Sequence, residues 1–409
     1  MQLTGTEMIS NASPEIAARL MSEFARRSGL SPVAQCPRRY LWTDAFAVCN
    51  FLELSERTGD QKYRRYASEL IDQVHRVLGR YRSDDVRKGW ISGLDDEKGH
   101  HQPTLGGLRI GKPLRERGAN ESIDEQREWD RDGQYFHYLT KWIHALCQVA
   151  FLTGDNENVR WARELTETAF RAFACRSETG EIIGVYWKMS TDLLRPLVHG
   201  MGLHDALDGF ITLREVQNAL AKVSTYSDVS GFNQTAEALF ALCQHGNWNT
   251  NDPLGVGGLL FDACRLSQLI CQEQDRELRL LEAVIQGCRD SLMLLFQAGY
   301  LNQPASHRLA FRELGLAIGL RALPIIADAM DKNRNIFEDR PSLRQTIDLL
   351  LPYQSLSDEI IGLWLPYAES RPERWRGYQD INDVMLATAI IPDTFLSVGE
   401  RHQIAAFMH

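Results

Sequence analysis

Two kinds of helical segment alternate along this chain, and that alternation restricts the fold more than any other feature. The stretch Leu41 to Leu54, LWTDAFAVCNFLEL, is apolar nearly all round. A helix with so little polar face must be enclosed by neighbours. The next segment, 61–79, places Tyr63, Tyr66, Ala67, Leu70, Ile71, Val74, Val77 and Leu78 at i, i+3, i+4 and i+7 spacings. Its other positions are mainly charged or amide residues, which predicts an outer helix with one apolar stripe. The pair then recurs: YFHYLTKWIHALCQVAFL (135–152) is apolar all round and NVRWARELTETAFRAF (158–173) is one-sided. Thr58-Gly59-Asp60 and Thr153-Gly154-Asp155 link the two pairs. Glycine can end one helix in the left-handed conformation while aspartate caps the next, so the shared dipeptide has a stereochemical reason. The same supersecondary unit is used twice.

Further inner segments are expected at Asp208–Leu220, Gly255–Ile270, Arg308–Leu320 and Ile381–Leu396, the last broken near Pro392. Outer partners are expected at 232–244, 276–297 and 342–351, with a helix at 13–28 closing the ring. About six hairpins result. The predicted fold is all-α, an (α/α)6 barrel or toroid forming a single domain over residues 1–409. Such a length exceeds what one compact core usually fills, but a toroid extends its core around a ring. Gly315 and Gly319, four apart on one face, predict a close helix contact. The loops at 82–133 and 176–203 are far longer than ordinary helix links and have room for short strands. In a regular ring both lie on one face, which becomes the functional face.

Several function classes are excluded. No eighteen-residue stretch is continuously apolar, so no membrane partner is expected. The N-terminal sequence has no basic patch followed by an apolar run. Eight cysteines occur without a CxxC pair, most of them in apolar helical segments, which fits a reducing compartment and a cytoplasmic location. A formal net charge of −9 argues against nucleic acid as a partner. There is no Walker motif, no convincing dinucleotide fingerprint and no GxSxG elbow, so no cofactor is expected. Asp95, Asp96, His100 and His101 cluster in sequence but lack a metal-ligand spacing, and no metal is expected. Assembly into a homo-oligomer is compatible with the sequence.

The chemistry is sought on the long-loop face. Trp90, Trp129, Trp187, Trp248 and Trp375 fall in loops and Trp42 at an inner-helix start. Flat aromatic faces suit the apolar C–H surfaces of sugar rings, so these six residues are the expected substrate-binding set. Acids stand beside them. Asp44 follows Trp42; Glu128, Asp130 and Asp132 surround Trp129; Asp205 and Asp208 open the third inner segment; Asp252 precedes the fourth; Asp380 and Asp383 open the sixth. Each alone is explained by the helix dipole, but in a radial array these ends converge. Carboxylates brought together raise one another's pKa and separate donor from acceptor roles. Asp132, before the turn at Gly133, is the first catalytic candidate, with Asp44 and Asp205 as partners for glycosidic-bond chemistry.

Histidines offer a rival arrangement. His137 and His144 share a face of the second inner helix, while His199 and His204 precede the third. A pair of histidines on opposite sides of a sugar carbon suits proton removal and return, and His137 and His204 join the catalytic candidates. The loop GGLRIGKPLRER is locally basic. Arg109, Lys112, Arg115 and Arg117, with glycine N–H groups, suit a negatively charged substrate group, and Arg109 joins the binding candidates.

The alternating helices, WTDAF at an inner-helix start, and WDRDGQYFHYLTKW together resemble the six-hairpin glycosidase-like superfamily over roughly residues 35–400. That resemblance implies an (α/α)6 toroid and carbohydrate chemistry, with Asp44 and Asp132 as its acid and base. Three readings stand open: a glycoside hydrolase with two carboxylates in a central pocket, a sugar epimerase or isomerase with opposed histidines, and a non-enzymatic toroidal interaction protein with a filled centre. The expected partner of the first two is a saccharide or sugar-like small molecule.

Overall fold

The structure is a computed structural model describing residues 13–198, 200–223, 230–273 and 277–399. Six inner helices form a closed ring: α2 (Leu41–Thr58), α4 (Phe136–Thr153), α6 (Asp205–Ala221), α8 (Pro253–Glu273), α10 (Ala310–Arg321) and α14 (Gln379–Ile390). Each packs on the next, and α14 returns to α2. The outer layer comprises α1 (Ser13–Arg27), α3 (Gln61–Leu78), α5 (Asn156–Phe173), α7 (Ser230–Cys243), α9 (Leu278–Gln297) and α13 (Ser355–Ser370). The ring closes where α1 packs against α14 and α2.

Besides short helical turns, two longer helices among the described residues lie outside the simple alternation. α11 (Leu323–Lys332) and α12 (Pro341–Leu350) form an extra layer beside α8 and α9. The outer segment expected at 342–351 is therefore α12, but the helix that spans α10 and α14 is α13. Pro366 inside α13 breaks the sequence signal without breaking the helix, and α13 still buries Ile360, Ile361, Trp364 and Ala368.

The repeated link folds as its residues dictate. Gly59 and Gly154 end α2 and α4 at φ 70° and 72°. Asp60 and Asp155 then accept from the backbone N–H of Lys62 and Glu157, both at 2.9 Å. On the opposite face the two long loops meet. β1 (Gln134–Tyr135), β4 (Lys188–Met189) and β5 (Pro196–Val198) form an antiparallel sheet in the order β1-β4-β5, while β2 (Ala174–Arg176) pairs with β3 (Ile182–Val185). The Arg87 guanidinium binds Asp85, Glu116 and Asp192, joining the loops electrostatically.

The far end of the ring is plugged. After α14 the chain breaks at Pro392 and the turn Asp393–Leu396 enters the axis. There Phe395 is stacked between Phe46 and Phe261, at centroid distances of 4.2 and 4.4 Å. Glu53 accepts from both the backbone N–H and the hydroxyl of Thr394. Among the described residues one helix, Pro253–Gln272, is by length and composition apolar enough to cross a membrane. It qualifies the sequence expectation, and its place as an inner helix, mostly buried in the ring, accounts for its composition.

α8 and α10 approach backbone to backbone. A Cβ at Gly257 would lie 2.1 Å from the Gly315 carbonyl oxygen, and one at Gly319 would lie 2.6 Å from the Gly257 Cα. Since no flexible side chain can yield there, Gly257→Val should lower stability by about 3 kcal/mol. Gly258→Ala, whose Cβ meets nothing within 4 Å, should leave the urea midpoint of unfolding unchanged or slightly raised.

Candidate functional site

The N-terminal ends of the inner helices surround a cavity of about 880 Å³, within the roughly 300–1,000 Å³ typical of small-molecule sites. Trp42 and Thr43 come from α2; His137, Tyr138 and Lys141 from α4; Asp205 and Asp208 from α6. On the far side α8 contributes Gly258 and Asp262, α10 contributes Phe311 and Arg312, and α14 contributes Asp380. The long loops add Lys112, Trp129 and Trp187 as a lip.

Four carboxylates sit near the floor on α6 and α8, and their environments differ. Asp208 is held by Lys141 at 2.7 Å, Arg265 at 3.2 Å and the Thr140 hydroxyl at 2.5 Å. Although burial alone would raise its pKa, Lys141 and then Arg265 reverse the balance and hold it below the ordinary value. Glu215, about two turns further in, is likewise held down by His144 and Arg265 against its burial. Asp262 has one cationic contact, Arg265 at 3.4 Å. Burial and then the Asp208 anion push it up to about 7. Asp205 has no cation within bonding distance among the described residues; its nearest such group is His137, whose Nδ1 is 4.0 Å from Oδ1. Burial, then Asp208, push Asp205 also to about 7. Its Oδ2 is buried without a hydrogen-bond partner.

The histidines expected here do reach the cavity, apart from two. His137 and His204 line it, and burial lowers each to about 4, leaving both rings neutral at physiological pH. One nitrogen of each, Nδ1 of His137 and Nε2 of His204, lacks a partner. His144 points into the core instead, between Glu215 and the Phe395 carbonyl. His199 lies outside the described residues.

Other expected site residues are not brought to the cavity. Asp132 is fully buried in the loop, where it binds Arg109 at 2.5 Å and accepts from the Gly111 N–H at 3.0 Å. Arg109 in turn binds the Val77 and Arg80 carbonyls. This ion pair stitches the loop to α3, so the first catalytic candidate and the binding arginine are structural partners. Asp44 is buried too. It accepts from the Tyr40 N–H at 2.9 Å and lies 3.4 Å from Arg39; burial raises its pKa to about 6. The acid beside an inner-helix start is here a device for ordering that start.

The tryptophans divide similarly. Trp42, Trp129 and Trp187 line the cavity. Trp129, 54% exposed, meets Trp187 edge-on at 5.2 Å, and Trp187 stacks on Tyr135 and His137. Trp90 is buried under Arg80 and against Gly99, Trp248 packs over Gly246 and Gly287, and Trp375 donates to Asp383. These three have core packing roles. The Asp95 to His101 segment is also structural: Asp95 caps a short helix, Asp96 binds Arg80, and His100 packs edge-on against Trp90. Among the described residues no group of three His, Cys, Asp or Glu side chains could hold a metal.

Sequence reasoning missed Asp262, Lys141 and Arg265. All three sit inside helices that read as apolar core, and one signal was available: Asp262 and Arg265, three apart, are the charges in the otherwise apolar GLLFDACRLSQLI.

No protein-family model matches the chain, and no curated protein resembles it in sequence. Solved structures align with the chain over nearly its whole length. The GH76 alpha-mannanase of Bacteroides thetaiotaomicron aligns at 9% identity over 96% of this chain and 99% of its own, with a TM-score of 0.50. The GH76A alpha-1,6-mannanase of Salegentibacter sp. HEL1_6 aligns at 11% identity over 94% of this chain and all of its own, with a TM-score of 0.48. An inactive variant of that enzyme bound to alpha-1,6-mannotriose aligns at 12% with the same coverage and TM-score. The fold defines the class: this chain is an (α/α)6 toroid, a ring of stacked helical hairpins.

Because Asp132 neutralises a buried guanidinium, Asp132→Ala should destabilise the protein by roughly 3 kcal/mol. Thermal or urea unfolding reads this loss, and a variant as stable as the parent would contradict the structural role.

Proposed function

We propose that the chain is a carbohydrate-active hydrolase whose acid and base are Asp205 and Asp262. The observation that carries this reading is the pair of cavity-lining carboxylates, each raised to about 7, around an Asp208 that stays ionised. A proton donor for a glycosidic oxygen must hold its proton near neutral pH. Asp205 has no cationic partner and keeps its proton. Asp262, beside Arg265, is the better placed of the two to ionise and activate water or attack the anomeric carbon. Trp42, Trp129 and Trp187 supply flat faces for sugar rings, and the fold neighbours named mannanases make alpha-mannosides the first substrates to screen.

The epimerase reading keeps one specific observation, the two cavity histidines with unpartnered nitrogens. Their low pKa makes both poor proton donors. Solvent-deuterium incorporation at a sugar carbon, without bond cleavage, would favour it. The interaction-protein reading expected a filled centre and meets an open one.

Asp205→Asn and Asp262→Asn should each reduce glycoside turnover by about 10²–10⁴-fold, measured on the chromogenic glycosides the parent cleaves. A parent-like rate in Asp205→Asn would remove the assignment. The parent's rate should also fall as pH rises through about 7, where Asp205 loses its proton.

Stability gives a second readout. The folded pKa of Asp205, about 7, lies above its ordinary 3.8, so the stability tied to its proton is fully present below pH 4 and lost as pH rises through 7. Asp205→Asn removes that loss. Relative to the parent it should gain roughly 1–3 kcal/mol between pH 4 and pH 8, seen as a pH-dependent rise in Tm.

A further inference from the structure

Resting on the sugar-processing reading, we infer that the substrate carries an anionic group, a carboxylate or a phosphate, received at the cavity mouth by Lys112 and Arg376. The starting point is the basic loop. Three of its four cations are committed within the protein: Arg109 to Asp132, Arg115 to Glu121 and Arg117 to Glu128. Lys112 is the exception. It lines the cavity, its ammonium lies 5.3 Å from the Tyr40 ring centroid, and no carboxylate is within 4 Å of it among the described residues. Arg376, on the α14 side of the same cavity, is exposed and equally without an ion-pair partner there.

Of the acids that line the cavity, Asp205 and Asp262 lie toward the floor on α6 and α8, and three others are already paired. Asp208 is taken by Lys141, Asp252 by Arg312, and Asp380 by Arg27. Asp130 faces the opening, exposed and without an ion pair among the described residues, and is the one rim acid that opposes an incoming anion. In a chain of net charge −9, two unpaired cations against the single unpaired Asp130 leave this mouth with a local excess of positive charge that steers anions inward. The chemistry favours the same ligand. Glycosidic cleavage builds positive charge on the sugar, and nearby uncompensated cations oppose that charge. A substrate anion between them and the ring removes the conflict.

The test uses the Asp205→Asn protein, which binds without turning over, and three probes: glucose, glucuronate and glucose 6-phosphate. Binding is followed by calorimetry or ligand-observed NMR. At least one acidic probe should bind roughly tenfold more tightly than glucose, and the one preferred identifies the anionic group. The preference should shrink with added salt, and should be lost in Lys112→Met combined with Arg376→Met. Equal affinity for glucose and both acids would overturn the inference and leave the sugar reading standing. An acidic preference unchanged in the double variant would overturn it as well. No binding of any of the three probes would overturn it, while the sugar reading is tested separately by the parent's turnover of alpha-mannosides.

Discussion

The floor of the cavity depends on one buried guanidinium. Arg265 is fully enclosed and reaches Glu215, Asp208, Asp262 and the Thr212 hydroxyl. One cation for three acids leaves a deficit, and the geometry decides who bears it. Glu215 gains His144 and Asp208 gains Lys141, so both stay ionised. Asp262 has only the longer contact to Arg265, and Asp205 stands a turn nearer the mouth beside a neutral histidine. The shortage of positive charge is thus concentrated on Asp205 and Asp262, both of which line the ligand space. Replacing Arg265 would leave several buried anions uncompensated, a far larger perturbation than losing any one of its partners.

The second constraint is the division of the ring into a stitched face and an elaborated face. Thr-Gly-Asp links close one side with minimal chain. At that same side Phe395 fills the axis between Phe46 and Phe261. Any ligand therefore has one way in. The opposite face carries loops of more than thirty residues, and loops that long need internal fastening. Asp132 with Arg109, Arg87 with its three acids, and Glu128 with Lys188 supply it. Much of the charge that reads as catalytic in the sequence is spent on holding loop to loop.

That distinction explains what was legible and what was not. The toroid was legible because its signal is periodicity, and periodicity reports burial directly: inner helices show no polar face and outer ones show a stripe. The ends of α2 and α4 could be placed from Gly59 and Gly154 because only a left-handed turn needs glycine there. Asp205, His137 and His204 were reached because acids and histidines at inner-helix starts must converge in a ring. Asp44 obeyed the same rule yet faces away, since one residue along a helix turns a side chain by about 100°, while Asp132 lies in the loop before α4 and is taken up by Arg109. Thr43 lines the cavity and Asp44 does not. Asp262 and Lys141 were hidden by the opposite error. A charge inside an apolar helix looks like an exception to be buried and paired, and only the three-dimensional ring shows it facing ligand space.

A magnitude settles whether the acids at the inner-helix starts are merely caps. Asp205 is the first residue of α6, where the helix dipole favours its anion by about 0.3–1 kcal/mol. Its pKa nevertheless rises from 3.8 to about 7, a change of ~4 kcal/mol against the anion. Desolvation and the fixed Asp208 charge therefore outweigh the dipole several-fold. A residue placed only to cap a helix would gain by being ionised and exposed, as Asp60 is when it accepts from the Lys62 N–H and pairs with its ammonium. Asp205 is held in the state a cap would avoid, with Oδ2 buried and unpartnered and Oδ1 4.0 Å from a neutral histidine. Strain of this kind is retained where a ligand relieves it. A glycosidic oxygen accepting the Asp205 proton would supply the missing partner.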